Sequence, residues 1–157
     1  MYKRILIPLD GSKVGEAALP VIEELVSQFS PEVKAEVALL RAVPLTHWIA
    51  AGDVGAPVRY TEEELQVLKE AALNYLEKAG QGLRDKGATV KNMVAVGNQT
   101  DGILKAVDEV SADLIAMSTH GRSGLRRWAF GSITDKVLRA ASVPVITVRA
   151  PEGTLNE

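Results

Sequence analysis

The sequence predicts an α/β protein in which a five-stranded parallel sheet is doubly wound between two layers of helices. Short, continuous apolar runs alternate along the chain with segments whose apolar residues recur at helical spacing. Apolar runs without polar alternation are typical of strands that are covered on both faces. Strands that alternate with helices pair in parallel through right-handed crossovers, which places helices on both sides of one sheet.

Size and composition are those of one ordinary globular domain. The chain has 157 residues, of which 46% are hydrophobic and 24% are charged. This length is sufficient to bury a continuous core without disulfides or metal ions. We expect a single domain over residues 1–150, followed by a short C-terminal tail over residues 151–157.

Charge and residue usage exclude several classes of protein. The net charge of −2 argues against general binding to nucleic acid or to an anionic membrane. The chain has no cysteine, so disulfides and thiolate chemistry are excluded. No apolar run approaches the roughly 20 residues of a membrane helix, and the N-terminal run is too short for a signal peptide. A cytoplasmic location is therefore expected.

The first third of the chain predicts a strand, a helix and a second strand. Residues 5–7 form the first apolar run, and a turn follows at residues 10–12. Pro20 lies within the helical pattern, so the helix either begins near it or bends there. The second strand lies within residues 33–43. The apolar stripe of the intervening helix consists of Ala18, Val21, Ile22, Leu25 and Phe29.

The middle of the chain predicts a long loop and a long helix. Residues 44–60 lack periodicity and contain prolines and glycines, so we expect a loop longer than is usual in compact domains. Thr61 and Glu64 have the spacing of a capping box, which indicates that a helix begins there. That helix is expected to end at Gly87.

The last third predicts two helices and three strands. Residues 90–96 form the third strand, and Thr100 or Asp101 is expected to cap the short helix after it. The fourth strand covers residues 113–117. The remaining elements, in chain order, are a helix over residues 133–141 with Ser132 at its start and a strand over residues 145–148. Because this last strand follows Pro144 and is apolar, we expect an edge strand that pairs with a second chain in a homodimer.

A glycine-bearing, cationic loop between the fourth strand and the last helix predicts an anion site. Gly121 and Gly131 allow backbone N–H groups to approach an anion closely, and the first N–H groups of the helix lack intrahelical partners. Arginines add positive charge to the loop: Arg122, Arg126 and Arg127. The alternative is an ordinary surface connection, which the combined pattern disfavours.

Individual side chains near this edge have two interpretations each. Ligands of doubly wound sheets bind beyond the carboxyl ends of the strands, where Asp10 also lies. Asp10 either accepts hydrogen bonds from ribose hydroxyls or forms an Asx turn that precedes the first helix. His120 either contacts phosphate or braces the loop. Ser132 either donates to phosphate or only caps its helix, or it does both.

These residues resemble the universal stress protein family, in particular its ATP-binding subgroup, over nearly the whole chain. That subgroup carries the pattern Gly-x2-Gly-x9-Gly-Ser/Thr after its fourth strand. Gly121, Gly131 and Ser132 match the pattern, whereas Ser118 replaces its first glycine. The segments at residues 8–12 and 143–148 are also similar to the family.

The resemblance implies a sheet of strand order 3-2-1-4-5 that binds ATP and dimerises through its last strand. Adenine and ribose would be bordered by Pro8, Leu9 and Asp10, with backbone contacts to the base from Ala42. The phosphates would be lined by Ser118, Gly121, Gly131, Ser132 and Ile133, with supporting roles for His120 and Arg122. If the backbone at Ser118 requires a positive φ, its side chain would narrow the pocket.

The resulting hypothesis is an ATP-binding, nucleotide-sensing dimer that acts in a stress response. ATP would order residues 44–60 and 118–131, with Mg²⁺ held through its phosphates and Asp10 as the nearest carboxylate. No convincing general base is present, so we expect slow hydrolysis or none. The alternatives are an ATP-dependent activating enzyme on a related fold and a dimeric scaffold of the same family without nucleotide.

Overall fold

A single five-stranded parallel sheet forms the centre of the molecule. The computed structural model describes residues 2–30, 32–51, 54–119 and 131–151. The strands of the sheet are β1 (Arg4–Pro8), β2 (Glu36–Val43), β5 (Thr89–Val96), β6 (Leu114–Thr119) and β7 (Val145–Arg149). Their spatial order is β5-β2-β1-β6-β7, and each neighbouring pair is parallel. This confirms the predicted sheet and its strand order.

Helices cover both faces of the sheet. They are α1 (Ala18–Ser27), α2 (Glu62–Ala79), α3 (Gln81–Asp85), α4 (Gln99–Glu109) and α5 (Ser132–Ala140), with a 3₁₀ turn over Gly15–Ala17 before α1. The first three helices pack on one face, and α4 and α5 pack on the other. The predicted doubly wound architecture is therefore confirmed. Among the described residues, none of these helices combines the length and apolarity needed to cross a bilayer.

Alternating residues of each strand supply two separate cores. In β1, Ile5 and Ile7 belong to the core under α1, whereas Leu6 belongs to the core under α4 and α5. All three are essentially inaccessible to solvent. Full burial of such a side chain contributes about 1.5–3 kcal/mol relative to exposure. Both faces of the central strands therefore have to be apolar, which is why these strands are continuous apolar runs in the sequence.

The segment predicted as a long loop contains two paired strands, referred to below as the hairpin, so that prediction is wrong for residues 46–51 and 54–59. Strands β3 (Thr46–Ala51) and β4 (Val54–Arg59) run antiparallel to each other and form a separate two-stranded sheet. The hairpin escaped detection because it lacks the alternation of a half-buried strand. Trp48, for example, is 73% exposed although it pairs with Pro57.

The predicted helix that begins after Thr61 is divided at Gly80 into α2 and α3. A Cβ atom at Gly80 would lie 3.0 Å from Leu39 Cδ1 and 3.1 Å from Val90 Cγ1. The backbone therefore passes unusually close to the sheet at this residue, and close packing requires glycine there. Gly87, with a φ of 87°, follows the end of α3.

The helix termini confirm one predicted cap and correct another. Thr61 Oγ1 accepts from the Glu64 N–H at 3.2 Å, and Glu64 Oε2 accepts from the Thr61 N–H at 2.8 Å, which completes the predicted capping box. Helix α4 is capped by Asn98, whose Oδ1 accepts from the Asp101 N–H at 3.1 Å. The prediction of Thr100 or Asp101 as the cap was therefore wrong by two or three residues.

Replacing Thr61 with alanine is expected to lower the free energy of unfolding by about 1 kcal/mol, because one N–H of α2 loses its acceptor. Urea denaturation at 25 °C measures this difference. The control is Thr61→Ser, which retains the hydroxyl and should stay within about 0.5 kcal/mol of the wild type. Equal losses in the two variants would show that the hydroxyl does not stabilise the helix.

Candidate functional site

A pocket opens at the carboxyl edge of the sheet, where β1, β2 and β6 end and where α4 and α5 begin. Predicted site residues that line it are Pro8, Leu9, Asp10, Ala42, Ser118, Gly131, Ser132 and Ile133. The structure therefore brings these eight together from four separate parts of the sequence. The other three predicted residues, His120, Gly121 and Arg122, lie outside the described part of the chain.

Six further residues, which were not predicted from the sequence, also line the pocket: Gly15, Leu40, Gln99, Ile103, Met117 and Thr134. Leu40 could have been inferred, because it shares a strand face with Ala42 two residues away. No pattern in the sequence indicated that Gln99 and Ile103 would line the pocket. Their place at the pocket depends on how α4 packs against the sheet, which the helical spacing alone does not specify.

Ala42 lines the pocket with a backbone donor and acceptor that no described residue pairs with. The ladder between β1 and β2 ends where the Leu9 N–H donates to the Leu40 carbonyl at 2.8 Å. Successive residues of a strand direct their N–H and C=O groups to opposite neighbours. The Val43 carbonyl accepts from the Gly97 N–H at 2.9 Å on the β5 side. Ala42 consequently faces the β1 side, where no described residue of β1 pairs with it.

Asp10 forms the Asx turn that was one of its two interpretations. Its Oδ1 accepts from the Ser12 N–H at 2.9 Å and from the Ser12 hydroxyl at 2.6 Å. The Ser12 hydroxyl oxygen in turn accepts from the Gly15 N–H at 2.9 Å. The other carboxylate oxygen of Asp10, Oδ2, has no hydrogen bond to the described residues. The turn therefore orients the carboxylate and leaves one oxygen for a ligand.

Ser118 joins the end of β6 to the start of α1. Its hydroxyl donates to the Gly15 carbonyl at 2.7 Å and accepts from the Ala18 N–H at 2.9 Å. Of the described residues other than glycine, only Ser111 has a positive φ. The condition under which Ser118 was expected to narrow the pocket is therefore not met.

The N-terminus of α5 reaches the pocket, and no described side chain caps it. Gly131 is the N-cap residue, with φ −56° and ψ 152°, and Ser132 is the first helical residue. The interpretation of Ser132 as the cap is therefore wrong. Because no side chain among the described residues accepts from the first N–H groups, an external anion is a suitable partner for the positive end of the helix. Thr134, in the first turn, is buried and also lines the pocket.

On the face of the sheet that α1 and α2 cover, a polar cluster supports the segment that connects β1 to α1. The Tyr75 hydroxyl donates to Glu16 Oε1 at 3.0 Å, and the Arg41 guanidinium carbon lies 5.2 Å from the centre of the Tyr75 ring. Burial, together with the hydrogen bond to Glu16, raises the pKa of Tyr75 well above its ordinary value. Glu16 also pairs with Lys13 at 3.2 Å.

The raised pKa of Tyr75 predicts a loss of stability at alkaline pH. The unfolded chain ionises Tyr75 near pH 10. The contribution of Tyr75 is therefore complete below that pH and is lost as pH rises from about 10 toward the raised folded pKa. Tyr75→Phe should be less stable than the wild type at neutral pH and should lose less stability above pH 10. Urea denaturation from pH 8 to 11 tests this, with Tyr2→Phe as an exposed control. Identical slopes in the wild type and Tyr75→Phe would contradict it.

The described residues contain no cluster of three or more histidine, aspartate or glutamate side chains arranged to hold a metal ion. Asp10 is the acidic residue at the pocket. A divalent cation there would therefore need ligands from a bound molecule in addition to this carboxylate.

Sheet order, layering and the position of the pocket define the chain as a doubly wound α/β protein with a pocket at the carboxyl edge, where ligands of such sheets bind. A profile of the universal stress protein family matches residues 1–149. The chain belongs to this family, as the sequence predicted.

Individual relatives and solved structures agree with this assignment. The universal stress protein MJ0577 of Methanocaldococcus jannaschii is 30% identical, with 95% of this chain and 96% of that protein covered. Its solved structure matches with a TM-score of 0.67 at 27% identity, covering 98% and 99% of the two chains. An Archaeoglobus fulgidus universal stress protein in complex with dAMP matches with a TM-score of 0.61 at 23% identity over 93% and 97%. An Arabidopsis thaliana family member with AMP bound matches with a TM-score of 0.61 at 16% identity, covering 98% of both chains.

Proposed function

We propose that this universal stress protein binds an adenine nucleotide, ATP in particular, and acts in the cytoplasm as a nucleotide-sensing dimer in a stress response. One observation carries the proposal. The same pocket is lined by Ala42, whose N–H and C=O groups pair with no described residue, and by the N-terminus of α5, which no described side chain caps. A ligand with a hydrogen-bonding base at one end and an anion at the other suits this arrangement.

The base would lie against Ala42. Adenine carries an amino donor beside a ring acceptor, which complements a backbone C=O and N–H on one residue. Apolar side chains at the same pocket, Leu40 and Ile103, would cover the faces of the base. The free oxygen of Asp10 would accept from a ribose hydroxyl. Pro8 and Leu9 complete the wall on the side of β1.

The phosphates would bind at the N-terminus of α5. The main-chain N–H groups of Ser132 and Ile133 and the small Gly131 allow close approach of an anion. His120, Gly121 and Arg122 are proposed to complete this end, as the family pattern implies. The dAMP and AMP bound to the Archaeoglobus fulgidus and Arabidopsis thaliana proteins support adenine nucleotides as the ligand class.

Binding without rapid hydrolysis is part of the proposal. Asp10 is the titratable side chain among the described residues that line the pocket; its Oδ1 accepts two hydrogen bonds from Ser12, and its Oδ2 is proposed to accept from a ribose hydroxyl. No described side chain is therefore placed as a general base for an attacking water. Mg²⁺ would bind through the phosphates, with Asp10 nearby. The proposed dimer would form along the edge strand β7, where Ile146 is 37% exposed.

Two measurements test the proposal. The purified protein is first denatured by heat, and any released nucleotide is identified by chromatography. The nucleotide-free protein is then titrated calorimetrically with ATP, AMP and GTP. Binding of the adenine nucleotides in preference to GTP, with slow turnover, supports the proposal. Rapid turnover with an added acceptor would favour an activating enzyme, and absence of binding would favour a scaffold.

A further inference from the structure

We infer that Ser118, which stands where the family pattern has glycine, is a positioning residue that holds Asp10 in place for the ligand. The inference rests on the proposed nucleotide site and adds a role that the family pattern does not contain. It starts from the hydroxyl of Ser118, whose only proton is donated to the Gly15 carbonyl at 2.7 Å. That hydroxyl therefore has no proton left for a ligand and acts through the protein.

Gly15 transmits this hydrogen bond toward Asp10. Its carbonyl is held by Ser118, and its N–H donates to the Ser12 hydroxyl oxygen at 2.9 Å. The Ser12 hydroxyl donates to Asp10 Oδ1 at 2.6 Å. The end of β6 is thus connected to the carboxylate at the end of β1 by three consecutive hydrogen bonds.

Packing at Gly15 makes the connection stiff. A Cβ atom at Gly15 would collide with Asp10 Oδ1, so the backbone of Gly15 lies directly against the carboxylate. A shift of Gly15 would therefore displace Asp10 by contact as well as through Ser12. The side chains of Asp10 and Ser12 would otherwise depend on an exposed turn, which is why an anchor on the buried strand β6 matters.

Ser118 also anchors the start of α1 from outside the helix. The N-cap residue, Ala17, provides no side-chain acceptor for the first turn. Ser118 Oγ, on strand β6, supplies this acceptor: it accepts from the Ala18 N–H at 2.9 Å. A glycine at residue 118 could make neither this bond nor the bond to Gly15. At the position of the motif glycine, this chain therefore has a side chain that holds Gly15 and the start of α1.

Amide hydrogen exchange of the nucleotide-free protein tests the connection directly. In Ser118→Ala, we expect the N–H groups of Ala18, Gly15 and Ser12 to exchange at least about fivefold faster. The control is Ser27→Ala, which removes another hydroxyl bonded to the backbone of α1, to Glu24, at 2.7 Å. It should leave the three rates unchanged. Faster exchange at Ala18 alone would overturn the inference, because Ser118 would then cap α1 without reaching Asp10.

A double-mutant cycle then tests the consequence for the ligand. Ser118→Ala should weaken ATP binding by about five- to tenfold, and Ser27→Ala by less than about twofold. In an Asp10→Ala background, Ser118→Ala should change affinity by less than about twofold, because its route to the ligand has been removed. Equal losses in both backgrounds would overturn the inference. If the wild type binds neither ATP nor AMP, the proposed function fails, while hydrogen exchange still decides whether Ser118 holds Asp10.

Discussion

Replacing Gly131 with valine is expected to weaken ATP binding by at least about a hundredfold, which is the loss of two hydrogen bonds to a charged group. Gly131 is the N-cap residue of α5, and its φ of −56° is accessible to any residue. The glycine is therefore not needed for its backbone conformation. A valine side chain would occupy the space in the pocket through which an anion reaches the first N–H groups of the helix.

The stability of α5 separates this effect from misfolding. Valine is a poor N-cap residue, so Gly131→Val should lower the free energy of unfolding by about 1 kcal/mol. Asparagine is among the best N-cap residues and should leave stability unchanged or raised. Gly131→Asn should nevertheless lose ATP binding, because its side chain accepts from the same N–H groups. Calorimetric titration and urea denaturation measure both quantities. Affinity for ATP that survives in both variants would rule out the phosphate site at α5.

The sheet was predictable because its physical requirement is simple. Strands covered on both faces must be apolar where they are buried, so runs such as residues 5–7 and 114–117 identify the strands directly. The hairpin was not predictable in the same way. Its residues contribute to neither core, and Trp48 is exposed, so no burial pattern marks the strands. The close approach of the Gly80 backbone to Leu39, at the boundary between α2 and α3, is likewise seen only in the packed structure.

The site was predictable where main-chain geometry follows from local sequence. Gly131 and Ser132 mark a helix start, and Asp10 marks a turn at a strand end. Side-chain partners across the sheet were not predictable. Ser118 could be read only as a departure from glycine, because its partners Gly15 and Ala18 are about a hundred residues away in the sequence.

Replacing Leu76 with alanine is expected to cause the largest loss of stability, about 3–5 kcal/mol, through lost burial and a cavity. Leu76 is fully buried, in the core between α2, α1 and the sheet. Leu73 lies in the same helix and is 41% exposed, so Leu73→Ala should cost less than about 1 kcal/mol. Urea denaturation at 25 °C measures both. Equal losses would show that α2 does not pack on the sheet through Leu76.

The same variant distinguishes the core from the pocket when ATP is added. Leu76 does not line the pocket, so Leu76→Ala should retain the affinity of the wild type. A ligand that binds only the folded chain adds about 2.7 kcal/mol of stability at one hundred times its dissociation constant. ATP at that concentration should therefore add about 2.7 kcal/mol to the stability of Leu76→Ala and no more than about 0.4 kcal/mol to that of Gly131→Val. An equal gain in both variants would mean that ATP binds the protein away from the N-terminus of α5.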